Sequence, residues 1–382
     1  MNFNLTDRQR SLRDDIQQKV EKSINHLAFV KEGNRAFSKA DWKRCGELGL
    51  HGLPIPKEYG GSGFDAVTTV VGLEALGYSC NDAGLPFAVA AQMLSCLVPI
   101  HKFGTDEQKA ACLPGLCAGN SLMANSITEK NSGSDVYSME SEAVRSDGSY
   151  FLNGEKTMIT NAPIADKSLV YMATKKTKGY FGGITAFLVD HEKKGVYSEE
   201  VLEKIGMESV QMGRQRFRQV EVYPSDVLGK EGAGGPIFSE SMNWERACLG
   251  AVHVGLMGKI TEVSADYARK RKVGSSYISN YQAISHKIAD MNVRLQSCRL
   301  MVYKAAWDLE HEKKPGKTAS MAKLYVSTAL QKTCLEAFSI MGGSAYLKGS
   351  FIESYLRAAL SATIYSGTSD VQRNIISSYS GL

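Results

Sequence analysis

The chain has 382 residues, of which 43% are hydrophobic and 22% charged, a composition typical of a globular protein with room for two or three packed domains. Its net charge of +5 and its short basic runs at 175–178 and 269–272 are too small a basic footprint for nucleic-acid binding. An anionic ligand such as a pyrophosphate, or an acidic partner, remains possible. The apolar runs Leu85–Val89 and Leu94–Ile100 are too short or too interrupted to predict a membrane span.

The eight cysteines include no Cys-x-x-Cys pair, and the seven histidines include no His-x-x-x-His. This pattern predicts buried thiols and no structural metal. The first residues lack the basic-then-apolar layout of a signal peptide, and Asp14 and Asp15 argue against a transit peptide. We therefore expect a cytoplasmic protein without a membrane partner.

Residues 1–120 have a helical pattern. Thr6 and Gln9 form a predicted capping box ahead of apolar residues at helical spacing. Prolines and glycines between 54 and 63 interrupt the pattern, which resumes from Ala66 to Phe103. We assign this part to an N-terminal α-helical domain.

Residues 121–235 have a strand-like pattern. Ser149–Ile159 alternates apolar and polar residues around Asn153-Gly154, which predicts a β-hairpin with its turn at that dipeptide. Further short strands are predicted at Ser168–Ala173, Ile184–Val189 and Arg216–Val222.

Helical patterns return over residues 236–382. One predicted helix opens at Pro236 and Ser239, and another covers Thr318–Phe338. The order helix, sheet, helix predicts an α+β fold with domains at 1–120, 121–235 and 236–382.

The chain contains no G-x-G-x-x-G after a strand and no Walker motif. A nucleotide cofactor, if one binds, would therefore be held by loops of the β-domain and by helix termini, which supply backbone N–H groups for phosphates.

Six short motifs occur in order along the chain. They are Ile127–Asp135 (ITEKNSGSD), Asn153–Asn161 (NGEKTMITN), Phe217–Gly229 (FRQVEVYPSDVLG), Arg271 ten residues before Tyr281-Gln282-Ala283-Ile284, Met341-Gly342-Gly343, and Tyr365–Arg373 (YSGTSDVQR). Each motif alone is a weak signal. Together, at suitable separations, they make the chain resemble the acyl-CoA dehydrogenase family over nearly its whole length.

The resemblance implies an N-terminal helical domain, a middle β-barrel and a C-terminal four-helix bundle. It also implies a homotetramer that shares FAD between two subunits. The implied reaction is desaturation of an acyl thioester, on CoA or on an acyl carrier protein, with an electron-transfer flavoprotein as a possible acceptor.

The resemblance also implies which residues bind FAD. The hydroxyls of Thr128 and Thr160 would hydrogen-bond the flavin ring, and the small residues Gly133 and Ser134 would let the backbone approach the pyrophosphate. The full predicted set is Ile127, Thr128, Gly133, Ser134, Met158, Thr160, Arg271, Gln282, Ser339, Gly343, Thr368 and Asp370. The six residues from Arg271 onward would bind the FAD of a neighbouring subunit.

Several of these residues also have an ordinary structural interpretation when taken singly. A threonine in a strand is a common β-former, Gly343 could cap a helix, and Arg271 could be a surface cation. Met158 stands where many relatives have a tryptophan over the flavin, and an adaptable apolar side chain can still cover a ring.

The carboxylate base of many relatives is the Glu of a Y-E-G-T motif, and here Ser366 occupies that position. The isovaleryl- and long-chain-type branches resemble the present chain, since they carry the base in a Glu-Arg pair on another helix. Glu245-Arg246 matches that pair. We therefore predict Glu245 as the base, with Glu240, one helical turn earlier, as a weaker candidate.

Glu245 shares a predicted helical face with Leu249, Val252 and Leu256. Burial on that face would raise its pKa, as a general base often requires. The alternative is a structural Glu satisfied by an arginine or by backbone donors. The backbone N–H of Ser366 is predicted to hydrogen-bond the thioester oxygen, and Ser134 and Arg246 to contact the substrate.

Three other functions stay open on the sequence. A monooxygenase of the same fold would need no base, so an inward-facing Glu245 argues against it. A non-catalytic FAD-binding protein would retain the flavin with an inert Glu245. A helical scaffolding protein would bind no flavin.

Overall fold

The computed structural model describes residues 4–24, 37–198 and 200–382. The first part is helical: α1 (Asp7–Ser23), α2 (Lys39–Glu47), α3 (Ala66–Ser79), α4 (Gly84–Gln92), α5 (Val98–Phe103) and α6 (Asp106–Cys117). The predicted capping box of α1 is confirmed, because the Thr6 hydroxyl accepts from the Gln9 N–H and the Gln9 side chain accepts from the Thr6 N–H.

Helices α4 and α5 are joined by a π-helical segment, Met93–Leu97, into one apolar stretch over Gly84–Phe103. The two apolar runs are therefore continuous, and the stretch is long and apolar enough to span a membrane by length and composition. In the most apolar window of that stretch, 94% of the residues are buried inside the protein, as in a core helix.

The middle part contains β1 (Met123–Ser126), β2 (Glu142–Ser146), β3 (Ser149–Thr160), β4 (Lys167–Ala173), β5 (Ile184–Asp190), β6 (Val196–Tyr197) and β7 (Met212–Val222). Their order in the sheet is β1-β4-β2-β3-β7-β6, with β5 antiparallel to β4. The predicted strands in this region are confirmed, each within a slightly longer observed strand.

The hairpin predicted at Asn153-Gly154 is wrong. β3 continues through that dipeptide, and the turn lies at Asp147-Gly148, whose φ values of 47° and 85° suit a two-residue hairpin between β2 and β3. A glycine is required at position 154 for a different reason, because a Cβ there would lie 2.7 Å from the Cα of Ser141. The glycine permits close approach of two backbone segments at a bulge in β3.

The last part is again mainly helical: α7 (Gly234–Cys248), α8 (Gly250–Lys270), a small β8 (Lys272–Val273) and β9 (Ser276–Tyr277) ribbon, α9 (Gln282–His311), α10 (Gly316–Met341), α11 (Phe351–Ser361) and α12 (Ser369–Ser378). The predicted helix over Thr318–Phe338 lies within α10.

The largest hydrophobic core combines side chains of the N-terminal and C-terminal helices, including α3 and α8. A second core joins α5, α6 and α7 to one face of the sheet. The eight cysteines are buried and free, as predicted. These shared cores fix α7 between the helices and the sheet, where the candidate site lies.

Candidate active site

A cavity of about 640 Å³ opens where the central helix of the first part, the sheet and the C-terminal helices meet. Many of the residues predicted for the site line it: Ile127, Thr128, Gly133, Ser134, Met158, Thr160, Glu245, Arg246 and Ser366. Glu240 does not line this cavity and instead pairs with Lys102 at the surface. The geometry therefore favours Glu245 over Glu240 as the acid that meets a ligand.

Glu245 lies on the inward face of α7 and is only 8% exposed. The hydroxyl of Ser366 donates a hydrogen bond to its carboxylate. Burial raises the pKa of Glu245, while the Ser366 hydrogen bond and the cations Arg246 and Lys323 oppose that rise. The result is a buried carboxylate that retains partners for its ionised form.

The segment around Ser366 is held by three side chains. Arg246 Nε donates to the Ser366 carbonyl at 3.0 Å, and Gln372 Nε2 and Lys323 Nζ donate to the Gly367 carbonyl at 2.9 and 2.7 Å. Ser366 has a φ of +56°. Within the described ranges, the Ser366 N–H has no hydrogen-bond acceptor, so it remains available to a ligand oxygen.

Lys323 and His253 were not predicted from the sequence. Lys323 lies on α10 and is 7% exposed, and burial lowers its pKa to about 8. His253 on α8 is also buried. Burial lowers the His253 pKa to about 4, and its Nε2 lies 2.6 Å from the Tyr365 hydroxyl. The only sequence signal for Lys323 was a charge among the small and apolar residues of a predicted helix.

A buried ion pair positions the loop that carries Thr128. Lys156 Nζ on β3 lies 2.7 Å from Glu129 Oε1 and donates to the Ile127 carbonyl at 3.1 Å. The Thr157 N–H donates to the Thr128 carbonyl at 2.9 Å. Burial lowers the pKa of Lys156 to about 8 against the opposing effect of Glu129. The pair ties the loop to β3 and brings both wall threonines to one cavity.

The cavity wall fits the flavin cofactor that the resemblance implies. Three buried polar atoms at the wall, Gln92 Nε2, Asn125 Oδ1 and Asn161 Oδ1, lack a hydrogen-bond partner within the described ranges. Buried polar atoms of this kind need a partner, which a polar ring system can supply. At Gly133, an added Cβ would meet nothing within 4 Å, so the backbone there is open to a ligand.

The other predicted FAD residues lie away from this wall. Arg271 ends α8, Gln282 begins α9, and Ser339 and Gly343 lie at the far end of α10, all exposed and none at the cavity. Lys287 Nζ donates to Ser339 at 2.7 Å, which places the beginning of α9 beside the end of α10.

Thr368 and Asp370 have hydrogen-bond partners close to them in sequence. Thr368 caps α12 by accepting from the Val371 N–H, and exposed Asp370 pairs with Arg373 at 2.7 Å. Neither residue lines the cavity. A role for either in binding FAD stays a prediction, as it does for the residues at the ends of α8, α9 and α10.

The arrangement is suited to removing a proton beside a carbonyl. Glu245, with its buried carboxylate, and Ser366, with its available backbone N–H, line one cavity, so one can accept a proton while the other stabilises the developing oxyanion.

Three protein-family models match successive parts of the chain. "Acyl-CoA dehydrogenase, N-terminal domain" matches residues 6–120, the middle domain of the same family 124–220, and its C-terminal domain 232–380.

Similar curated proteins span the same length. An L-prolyl-[peptidyl-carrier protein] dehydrogenase of Pseudomonas fluorescens is 38% identical, with 98% of each chain covered. The mitochondrial isovaleryl-CoA dehydrogenase of Oryza sativa subsp. japonica is 32% identical, with 95% of this chain and 90% of that one covered.

A solved structure, "PigA with FAD and proline", is 33% identical and covers 100% of both chains with a TM-score of 0.97.

Proposed function

The chain belongs to the acyl-CoA dehydrogenase family and uses FAD to dehydrogenate an acyl thioester, and from this premise we propose that Glu245 is the catalytic base. The observation that carries this assignment is the buried Glu245 carboxylate at the cavity wall, hydrogen-bonded by Ser366. FAD, when bound, supplies the hydride acceptor at N5 of its ring.

Glu245 takes the proton from the carbon next to the thioester carbonyl. The Ser366 N–H donates to the thioester oxygen, where negative charge develops as the proton leaves. Arg246, Gln372 and Lys323 hold the two carbonyls of this segment and so keep that N–H in place. Arg246 acts here as a positioning residue, while its predicted contact with the substrate, like that of Ser134, rests on its place at the cavity wall.

We propose that the substrate is an aminoacyl group, prolyl in particular, carried as a thioester on a carrier protein. Full-length similarity to a prolyl-carrier-protein dehydrogenase and to a structure containing FAD and proline supports this choice. The rings of Phe87 and Tyr365, with centroids 4.6 Å apart, stand at the cavity wall with Glu245 and favour a compact acyl group.

We also propose a cytoplasmic homotetramer in which Arg271 and its neighbours reach the FAD of another subunit. Their exposure away from the cavity supports a shared site, and eight free buried thiols suit a reducing compartment. An electron-transfer flavoprotein is the proposed acceptor. The 63% exposure of Met158 at the cavity makes oxygen the alternative to test.

Anaerobic mixing with a panel of thioesters tests the substrate. The flavin absorbance should bleach fastest with prolyl carrier protein, more slowly with proline presented on CoA, and least with straight-chain acyl-CoA. Fast bleaching by straight-chain acyl-CoA with none by prolyl carrier protein would overturn the proposed substrate while leaving the family reaction intact.

A further inference from the structure

The loop between β4 and β5 carries an exposed aromatic residue among cations. Residues 174–183 contain three lysines and no acidic residue. Phe181 in this loop is 85% exposed, and Lys178 is exposed nearby. Aromatic residues are enriched in protein-binding surfaces, and the lysines beside Phe181 suit the polar rim of such a surface.

A second basic segment meets the same cavity. Lys313 and Lys314, between α9 and α10, are exposed and line the mouth of the active-site cavity. Residues 311–317 contain three lysines and one acidic residue, Glu312. This segment therefore adds positive charge to the mouth.

The β4–β5 loop also contributes an aromatic residue to the active-site cavity. Tyr180, next to Phe181, lines the active-site cavity, and its ring centroid lies 5.2 Å from that of Tyr137. Tyr137 also lines a neighbouring cavity of about 570 Å³, whose other side is formed by Lys176 and Lys178. Tyr180 and the α9–α10 loop therefore line the same cavity.

Much of this positive charge is not neutralised within the chain. Lys175 and Lys176 pair with Glu231 and Glu142 at 3.4 and 2.8 Å. No ion pair of Lys178, Lys313 or Lys314 is found within the described ranges. Exposed, unpaired cations around a cleft attract an anionic partner over a distance and raise its rate of association.

We propose that Phe181, Lys178, Lys313 and Lys314 form a docking surface for a carrier protein whose surface around its phosphopantetheine arm is acidic. The inference rests on the proposed carrier-protein substrate. The arm carries one phosphodiester, which a single lysine can meet. Cations on two separate loops and an exposed aromatic ring instead match a partner of protein size.

The test compares two double variants. The mouth variant carries Lys178→Glu and Lys314→Glu, and the matched control variant carries Lys43→Glu and Lys194→Glu. The control changes the net charge equally: Lys43 is exposed on α2, and Lys194 is exposed beyond the opposite end of β5. Each protein is assayed with three prolyl thioesters, in which the prolyl group is attached to the carrier protein, to free phosphopantetheine or to uncharged N-acetylcysteamine.

For the carrier protein, kcat/KM of the mouth variant should fall by roughly tenfold or more, and its salt dependence should shrink. Turnover of the N-acetylcysteamine thioester should stay within about twofold, because rim charges act on association and not on the chemistry. The control variant should resemble wild type. Phe181→Ser should also weaken carrier-protein turnover and spare both small thioesters.

Three results would overturn the docking surface. One is undiminished carrier-protein turnover by the mouth variant. Another is an equal loss with free phosphopantetheine, which would indicate a phosphate subsite alone. The third is an equal loss in the control variant, which would indicate net charge only. A wild-type enzyme that ignores carrier-protein substrates but turns over CoA thioesters would instead refute the proposed substrate, and the docking surface with it.

Discussion

The protonation of Glu245 depends on opposing influences from its neighbours. Burial favours the neutral acid, whereas the Ser366 hydrogen bond and the cations Arg246 and Lys323 favour the carboxylate. Among the described residues, no carboxylate lies within hydrogen-bond distance of Lys323, which donates instead to the Gly367 carbonyl. Removal of its charge should therefore affect both the base and the segment that holds the oxyanion donor.

Lys323→Met should shift the pH dependence of flavin reduction. A base works when deprotonated, so the rate rises with pH through the pKa of Glu245. The Lys323 cation lowers that pKa, so its loss should raise the pKa and move the rising limb to higher pH. Stopped-flow reduction across pH measures this limb.

Lys332→Met is the matched control, since Lys332 is an exposed residue of the same helix. It should leave the pH profile unchanged. A Lys323→Met enzyme that is slower by the same factor at every pH would show that the lysine is only structural.

Residue-level prediction from sequence was possible where a motif gave an ordered context. Glu245, which lines the cavity, was selected because the chain has a serine at one family position for the base and a Glu-Arg pair at the other. Lys323 and His253 were missed because burial of a polar residue depends on contacts among α7, α8 and α10. No local pattern encodes those contacts.

At the scale of elements, β3 differs most from expectation. Asn153-Gly154 is a frequent turn dipeptide, yet tertiary contact with Ser141 determines its conformation. Asp147-Gly148 has the same turn chemistry and forms the actual hairpin. Two equivalent local signals six residues apart cannot be ranked without knowing which one packs against a neighbour.

Gly154→Ala should destabilise the sheet by about 1–3 kcal/mol, the usual range for overpacking, because the new Cβ would lie 2.7 Å from the Ser141 Cα. Gly148→Ala is the matched control. Both glycines have positive φ, but nothing lies within 4 Å of a Cβ at Gly148.

The thermal midpoints of the two variants should therefore differ, with Gly154→Ala lower. Equal midpoints would mean that backbone conformation, and not the Ser141 contact, requires the glycine at 154.

For the whole molecule, the order of helical and strand regions was predictable because the period of the hydrophobic pattern changes twice along the chain. The packing between regions was not. The N-terminal and C-terminal helices share one core, and the cavity lies where these helices meet the sheet. These contacts join residues far apart in sequence.

Arg271→Ala should weaken FAD binding without dissolving the oligomer. The exposed Arg271 side chain lies away from the cavity, as expected if the FAD that it is predicted to bind belongs to another subunit. Loss of one charged hydrogen bond to phosphate corresponds to roughly 10–100-fold weaker binding. Fluorescence titration of the FAD-free protein measures the affinity, and light scattering measures the assembly.

Arg269→Ala, which removes a nearby arginine paired with Asp266, should change neither quantity. FAD affinity equal to wild type in Arg271→Ala would refute the shared site, as would a fully active monomer.

We propose that Glu245 removes the α-proton of a thioester while FAD accepts the hydride. Rapid anaerobic mixing of Glu245→Gln with prolyl carrier protein tests it most directly. The amide keeps the size of the side chain and removes its basicity, so flavin reduction should slow by roughly 10²–10⁴-fold with little change in thioester binding. Flavin reduction at the wild-type rate in Glu245→Gln would contradict the account.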